Sequence, residues 1–409
     1  MTDQRQWSRR QWLATAGSTA ALGLAGCSSS DDGSGGTDDS STPAGNDGNG
    51  DTSNPDGDTS EQSFEGPVTA DGEWPMRHLD AGNSRATKAV SGPPVPVQER
   101  WSKDVGDTVA RPAVSGETVY IATKENTCYA FDLLSGDRRW ERSMGKERIF
   151  DIAATGDRIY VAQQGSVTAL TNDNSVEWTF EDITSPADVL VSDGTVYTRS
   201  GKTLYARDAA SGDELWTTTV DTGQSRPAIA DGSVLTKDQQ YLRSFDAETG
   251  DQRFQVEHGG SIALNSVSVA DGTAYFMADT NIEARSVDDG SLEWRWTDGA
   301  AEETPPAVAD GVVYANPHGK TGPYRIDAET GENLGAIDID GYTMPPVVAD
   351  GTVFVSRPWT RETNARLYAI DAETNAVKWE MQPPDKLGQT PIVLEDVLVY
   401  GVPSVFEPA

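Results

Sequence analysis

The sequence predicts an all-β protein, and three observations support that fold class. A short unit of the form D-A-x-T/S-G, followed closely by Trp, recurs along the chain, as in YARDAASGDELW at residues 205–216. Strand-length runs of Val, Ile, Tyr and Ala alternate with turn residues. After residue 30 no amphipathic pattern of three helical turns occurs. The recurrence of about 40 residues is typical of propellers and solenoids.

Two turn signals divide each repeat into strands. The first is Asp-Gly, a signal for tight hairpins, at positions 193–194, 231–232, 271–272, 310–311 and 350–351. The second is the D-A-x-T/S-G unit, in which the Asp can accept bonds from turn amides and the Gly can adopt a positive φ. Four short antiparallel strands in each repeat correspond to one blade of a β-propeller.

The number of repeats predicts eight blades. Seven full units run from about residue 111 to 382, and half of an eighth occupies 389–403. We expect its missing strand to come from the N-terminal side, where Glu99-Arg100-Trp101-Ser102-Lys103 has the form of a Trp strand. Exchanging one strand across the closure locks the ring and protects its edges. A seven-bladed ring is the alternative.

The recurrent aromatic residue of each unit is expected to pack between blades. Its fixed distance from a turn favours a packing role for the large ring. A surface on which a ligand stacks is the alternative. The residues concerned are Trp140, Trp178, Trp216, Phe254, Trp294 and Trp379.

The N-terminus has the features of an export signal. Arg9 and Arg10 precede an apolar run over residues 13–25 that is too short to span a bilayer, as in a twin-arginine signal. L-A-G-C, ending at Cys27, resembles a lipobox, so we expect a signal over 1–27 and lipidation of Cys27; a cut nearby, with Cys27 incidental, is the alternative. The expected location is the outer face of the cytoplasmic membrane.

Composition sets further expectations. Residues 28–73 are rich in Gly, Ser, Thr and Asp and are expected to form a disordered linker before a propeller at 74–409. The net charge of −33 argues against binding to nucleic acid or to anionic membrane faces. An acidic composition of this kind resembles that of proteins from extreme halophiles. The second cysteine, Cys128, is expected to be a small buried hydrophobe rather than half of a disulfide.

The repeat resembles the pyrroloquinoline-quinone-like (PQQ-like) repeat, xPAVxDGxVY followed by LYAxDAxTGxxxW, over residues 74–403. The resemblance implies one of two kinds of protein. Some members are quinoprotein dehydrogenases, and others are non-catalytic lipoproteins of the BamB-like type that hold protein partners at a membrane. The lipobox, the chain length and eight blades resemble the second kind. A monomer that binds proteins is therefore expected, with a quinoprotein-like enzyme or a receptor for a ligand or polysaccharide as alternatives.

No residue set predicts catalysis. The dehydrogenases are expected to carry adjacent cysteines over the quinone and a calcium shell, and Cys-Cys is absent from this sequence. His78, His258 and His318 have no metal-ligand spacing, and G-x-S-x-G and P-loop motifs are absent. We therefore assign no catalytic, cofactor-binding or metal-binding residues, and expect neither PQQ nor calcium.

One irregular stretch is a candidate for partner contact. The seventh unit contains an insertion with three arginines and a Trp, at Arg357, Trp359, Arg361 and Arg366. Loops on a rigid scaffold often carry binding residues. The alternative is a longer loop whose arginines pair with surface acids. A second irregular stretch spans residues 316–322.

Overall fold

The computed structural model describes residues 68–409, except 182, 185–187, 221–224, 260–265, 298–304, 317–321, 359–363, 384–389 and 402. Arg9, Arg10 and Cys27 therefore lie outside the described residues. Within the described ranges the secondary structure consists of strands, with no helix. The strands form eight sheets, each of four antiparallel strands, and one of these sheets carries a fifth short strand. The prediction of an eight-bladed β-propeller is confirmed.

Each blade consists of strands that are consecutive in the sequence, apart from the last one. Blades 1 to 4 contain β3 (Ala113–Ser115), β4 (Thr118–Ala122), β5 (Thr127–Asp132), β6 (Arg138–Ser143); β7 (Ile149–Thr155), β8 (Arg158–Gln163), β9 (Ser166–Thr171), β10 (Val176–Phe180); β11 (Asp188–Ser192), β12 (Thr195–Ser200), β13 (Thr203–Asp208), β14 (Glu214–Thr219); and β15 (Ala228–Ala230), β16 (Ser233–Lys237), β17 (Tyr241–Asp246), β18 (Gln252–Glu257).

Blades 5 to 8 follow in the same order. They contain β19 (Ser268–Ala270), β20 (Thr273–Ala278), β21 (Asn281–Ser286), β22 (Leu292–Trp296); β23 (Ala307–Ala309), β24 (Val312–Ala315), β25 (Tyr324–Asp327), β26 (Asn333–Ala336); β27 (Val347–Ala349), β28 (Thr352–Arg357), β29 (Arg366–Asp371), β30 (Val377–Met381), with β1 (Ala86–Thr87) added in parallel to β27; and β31 (Ile392–Val393), β32 (Leu398–Tyr400), β33 (Ser404–Pro408), β2 (Val97–Ser102).

Strand exchange closes the ring as expected, with one correction. The N-terminal strand β2 pairs antiparallel with β33, and Trp101 lies in it. The last unit is not half a blade ending at 403, because β33 follows and supplies a third strand. Its sequence, SVFEP, contains neither the Asp-Gly pair nor the Trp that identified the other strands. The chain also contacts blade 8 before residue 74, since the Thr69 amide donates to Asp396 at 2.7 Å.

The two turn signals work as their chemistry predicts. In blade 4, Asp231 and Gly232 have φ values of 52° and 69°, the pair of positive angles that a tight type I′ hairpin requires. In the second turn of that blade, the Asp246 carboxylate accepts the amides of Glu248 and Thr249, each at 2.9 Å. Gly250 completes this turn with φ 76°.

The recurrent aromatic residues pack between blades, as predicted. The indole N–H of Trp216 donates to the carbonyl of Ala247 in the next blade at 2.9 Å, and Trp294 repeats the contact with Ala328 at 2.9 Å. At the closure Trp101 donates to Leu133 of blade 1 at 2.9 Å. Each ring therefore joins two neighbouring sheets and covers the turn glycine of the second one.

Candidate functional site

The centre of the ring contains a segment of the N-terminal part of the chain, which we call the leader (residues 74–88). The first strands of neighbouring blades contact one another around it. Six of these inner strands donate a backbone amide to a leader carbonyl, with N–O distances of 2.7–3.0 Å. The six pairs are Val114–Trp74, Ala154–Pro75, Ile229–Ala81, Val269–Gly82, Val308–Ser84 and Val348–Arg85. The leader thus follows the ring inside the channel and visits the blades in order.

Asn83 holds the leader at the junction of blades 4 and 5. It is fully buried, and its side-chain amide donates to the carbonyls of Pro227 at 2.9 Å and Val267 at 3.1 Å. With both amide hydrogens used, its oxygen accepts a bond from Nδ1 of His78 at 3.2 Å. Nδ1 of His78 therefore carries a hydrogen. Burial lowers the pKa of His78 well below its ordinary value, and the nearby arginines Arg85, Arg226, Arg111 and Arg77 add to the effect.

One repeat position lines the channel below the leader. In each blade one residue of the inner strand pairs with a buried residue near the middle of the second strand, for example Ala113 with Tyr120 and Ala228 with Leu235. The channel position lies two residues before that inner-strand residue. Blades 1 to 4 have charged residues there, and blades 5 to 8 have neutral ones. From blade 1 to blade 8 the residues are Arg111, Asp151, Asp188, Arg226, Ser266, Pro305, Pro345 and Thr390.

Four of the charges balance one another. Arg226 forms an ion pair with the buried Asp151 and lies 3.4 Å from Asp188. Arg77 of the leader reaches Asp151 from the other side, at 3.6 Å. Burial raises the pKa of Asp188, and Arg226 opposes that shift. Two guanidinium groups and two carboxylates therefore form a neutral quartet that links the leader to blades 2, 3 and 4.

Two further arginines have no such compensation. Arg85 is 3 % exposed and donates through Nε and Nη2 to the carbonyls of Pro346 and Pro345, at 3.1 and 3.2 Å. Arg111 has a buried Nη1 with no hydrogen-bond partner among the described residues. No carboxylate of the described residues forms an ion pair with either of them. Burial lowers the pKa of Arg111 to about 10, and burial together with Arg111 lowers that of Arg85 well below its usual value.

Only part of the sequence-predicted contact site lies in the described residues. Arg366 pairs with Glu380 at 2.5 Å, and Arg357 reaches the carbonyls of Asp340 and Asn364, both at 3.4 Å. The ion pair of Arg366 is the arrangement that the alternative reading expected. Trp359 and Arg361 lie outside the described residues, so contact of the four residues with a partner stays a prediction. In the second irregular stretch, Asn316 donates to the carbonyl of Thr343 at 2.7 Å.

The charged channel was not found from the sequence, although a signal for it exists. R-P-A occurs at 111–113 and 226–228, where the corresponding segments of blades 6 and 7 begin P-P. Aligned repeats therefore mark Arg111 and Arg226 as departures from the pattern. Arg77, His78 and Arg85 give no comparable signal, because the leader belongs to no repeat.

Cys128 is a packed side chain, as expected. It is fully buried in the core between blades 1 and 2, and burial raises its pKa to about 12. Among the described residues, no set of three or more His, Cys, Asp or Glu side chains is arranged to hold a metal ion. In the same part of the chain, no helix has the length and apolar character needed to cross a membrane.

The fold and the repeats define an eight-bladed propeller of the PQQ-like type with a leader in its channel. A family model described as "Outer membrane protein assembly factor BamB" matches residues 68–179, 163–381 and 324–402. The chain belongs to this family.

Individual relatives are distant. The chain is 26 % identical over 345 residues to "Outer membrane protein assembly factor BamB" of Yersinia pestis, covering 74 % of this chain and 75 % of that protein. It is 28 % identical over 312 residues to "Serine/threonine-protein kinase AfsK" of Streptomyces griseus and 29 % over 133 residues to BamB of Bordetella pertussis. These matches cover 69 % and 31 % of this chain, but only 37 % and 34 % of the two relatives.

Solved structures of similar fold include a methanol dehydrogenase and a BamB protein. A europium-containing methanol dehydrogenase superposes with a TM-score of 0.65 at 13 % identity, covering 80 % of this chain and 88 % of that one. BamB from Moraxella catarrhalis gives 0.59 at 15 % identity, covering 76 % and 100 %. At these identities the likeness shows the fold alone.

Proposed function

We propose that this protein is a non-catalytic, lipid-anchored scaffold that binds other proteins at the outer face of the cytoplasmic membrane. Membership of a family described as an assembly factor is the observation that carries the proposal. The leader supports it, because bonds to six inner strands make the ring one rigid platform. The burial and raised pKa of Cys128 also make its sulfur a poor nucleophile or redox centre.

The two faces of the platform carry different loops. One face, here called the hairpin face, carries the first turn of every blade, and these turns expose carboxylates in five of the blades: Asp193, Asp231, Asp271, Asp310 and Asp350. The opposite face, here called the connection face, holds the loops between second and third strands and the connections between blades. Asn364 and Arg366 lie there, and Arg366 pairs with Glu380. We place the partner contact on the connection face, because Arg357 and Arg366 of the insertion in the seventh unit lie there.

Site-specific crosslinking tests the scaffold and its face together. A photoreactive residue at the exposed Asn364 should give protein adducts in membranes that express the full chain. The same residue at the exposed Glu248, on the hairpin face, serves as the matched control. Adducts from the control position alone, or from neither position, would contradict the proposal.

The anchor and the enzymatic alternative need separate tests. Cys27→Ser should release the protein from the membrane fraction, and an unchanged distribution would count against lipidation. The distant likeness to a methanol dehydrogenase keeps a quinoprotein as the second candidate. Addition of PQQ and calcium to the purified chain, followed by dye reduction with alcohols, measures that activity directly. Turnover there would replace the scaffold with an enzyme.

A further inference from the structure

Ion pairs compensate the channel charges near blades 2 to 4, whereas Arg85 and Arg111 have no ion-pair partner among the described residues. On the side of blades 2 to 4, Arg77 and Arg226 are matched by Asp151 and Asp188. The remaining leader carboxylate, Asp80, is occupied by Ser84, whose amide donates to it at 2.9 Å and whose hydroxyl also bonds to it. No carboxylate of the described residues forms an ion pair with Arg85, at blade 7, or with Arg111, at blade 1.

The positions of these two arginines define a site at blades 7, 8 and 1. Arg85 is fixed on the carbonyls of Pro345 and Pro346 in blade 7, and Arg111 occupies the channel position of blade 1. Between them blade 8 presents the buried Thr390, whose hydroxyl donates to the Pro345 carbonyl at 2.5 Å. The groups that Arg85 contacts by hydrogen bonds are therefore neutral carbonyls, and Nη1 of Arg111 is a buried donor without a partner among the described residues.

Arg85 is buried and Arg111 is partly buried, and a guanidinium charge removed from water is costly without a counter-charge. Burial is the main cause of the lowered pKa of both groups, and Arg111 adds to the effect on Arg85 as Arg77 adds to the effect on Arg111. Guanidinium groups are suited to oxyanions and carboxylates, because their planar N–H donors match two oxygens at once. A chain with a net charge of −33 attracts no anions through its overall field, so binding here has to come from local geometry.

We propose that the channel sector between Arg85 and Arg111 binds one small oxyanion or carboxylate, which supplies the counter-charge that no carboxylate of the described residues provides there. The ligand accepts from Nη1 of Arg111 and lies beside the guanidinium of Arg85. Because the leader contributes Arg85 and inner strands contribute the remaining groups, the anion ties the leader to blades 7, 8 and 1. The quartet already does the same for blades 2 to 4.

The test is direct binding to the purified full chain, measured by calorimetry in buffers without competing oxyanions. Sulfate, phosphate, acetate and chloride are the probes, so that tetrahedral, planar and spherical anions are compared. We expect saturable binding of one oxyanion or carboxylate per chain, with at least a tenfold loss of affinity in Arg111→Gln. Arg253→Gln, which removes an exposed arginine paired with Asp246, is the matched control and should bind like the wild type.

Thermal unfolding gives a second readout that separates this site from general salt effects. Sulfate and phosphate stabilise many proteins in a way that does not saturate with concentration. That general stabilisation should persist in both Arg111→Gln and Arg253→Gln. Without anions, Arg111→Gln should unfold at a higher temperature than the wild type, because it removes a partly buried charge that has no ion-pair partner among the described residues. Absence of saturable binding by every probe, or equal binding by wild type and Arg111→Gln, would overturn the proposal. Arg85→Gln repeats the test, and crosslinking from Asn364 is independent of either result.

Discussion

The indole ring of Trp216 covers Gly250 of the following blade so closely that a Cβ at Gly250 would stand 2.7 Å from ring carbons. The same relationship joins Trp178 to Gly212 and Trp294 to Gly331. The turn glycine of the D-A-x-T/S-G unit is therefore required twice, once for its positive φ and once for the space that the ring of the preceding blade occupies.

A matched pair of glycine substitutions separates these two requirements. Gly250 and Gly272 have φ values of 76° and 78°, but a Cβ at Gly272 would meet nothing within 4 Å. Gly272→Ala should cost about 1 kcal/mol of unfolding free energy through backbone strain alone. Gly250→Ala should cost about 1–3 kcal/mol more, because the ring must move. Denaturant unfolding measures both, and equal costs would contradict the packing role of Trp216.

Asn83 should be essential to the attachment of the leader. Asn83→Ala leaves the buried carbonyls of Pro227 and Val267 without their donor and should cost about 2–4 kcal/mol. Asn375→Ala is the backbone control, since its φ of 61° is close to the 57° of Asn83. Hydrogen exchange of the leader amides should accelerate in Asn83→Ala and stay unchanged in Asn375→Ala. Faster exchange in both variants would mean that backbone strain, and not the loss of the Asn83 side-chain hydrogen bonds, loosens the leader.

Lys237 should make stability rise with alkaline pH. Its amine is buried without a hydrogen-bond partner among the described residues, and burial lowers its pKa to about 8 despite nearby Asp238 and Glu283. Between pH 8 and 10.5 the unfolded state binds more protons than the folded state, so the unfolding free energy increases with pH, by about 3 kcal/mol in total. The difference between wild type and Lys237→Met should show this slope. The exposed Lys202→Met should show none.

His78 should make the protein sensitive to mild acid. Since its folded pKa lies well below the ordinary 6.5, the unfolded state takes up a proton first as the pH falls. Stability should therefore decrease below about pH 6.5, with a slope of up to about 1.4 kcal/mol per pH unit. Urea unfolding at pH 7, 6 and 5 should show a smaller loss for His78→Gln than for the wild type. Parallel losses would mean that the pKa of His78 is not lowered in the folded protein.

Cys128 should be chemically silent in the folded protein. With a buried thiol and a pKa of about 12, it forms almost no accessible thiolate at pH 8. In a Cys27→Ser background, iodoacetamide should leave Cys128 unmodified until denaturant is added, as judged by mass spectrometry. Ser211→Cys, at an exposed turn position, should react within the same time. Reaction of native Cys128 at a similar rate would show that the core between blades 1 and 2 opens.

The fold could be predicted because each blade repeats its own local chemistry. Asp231-Gly232 fixes a hairpin and Trp216 a blade junction, so every unit confirms the others. The exchanged strand was found because Trp101 keeps the pattern, whereas β33 was missed because SVFEP does not. The channel charges depend on contacts across long sequence distances, such as that between Arg77 and Asp151, and one unaligned sequence contains no local mark of such pairs.

The exchanged strand has a consequence for biosynthesis. β2, near the start of the propeller, pairs with β33, and all the other blades lie between these two strands in the sequence. The leader likewise needs inner strands from six blades before its carbonyls are satisfied. The ring thus cannot close before β33 has been synthesised, and contacts so distant in sequence make folding slow. During synthesis the N-terminal strand β2 remains without its partner until every intervening blade has emerged.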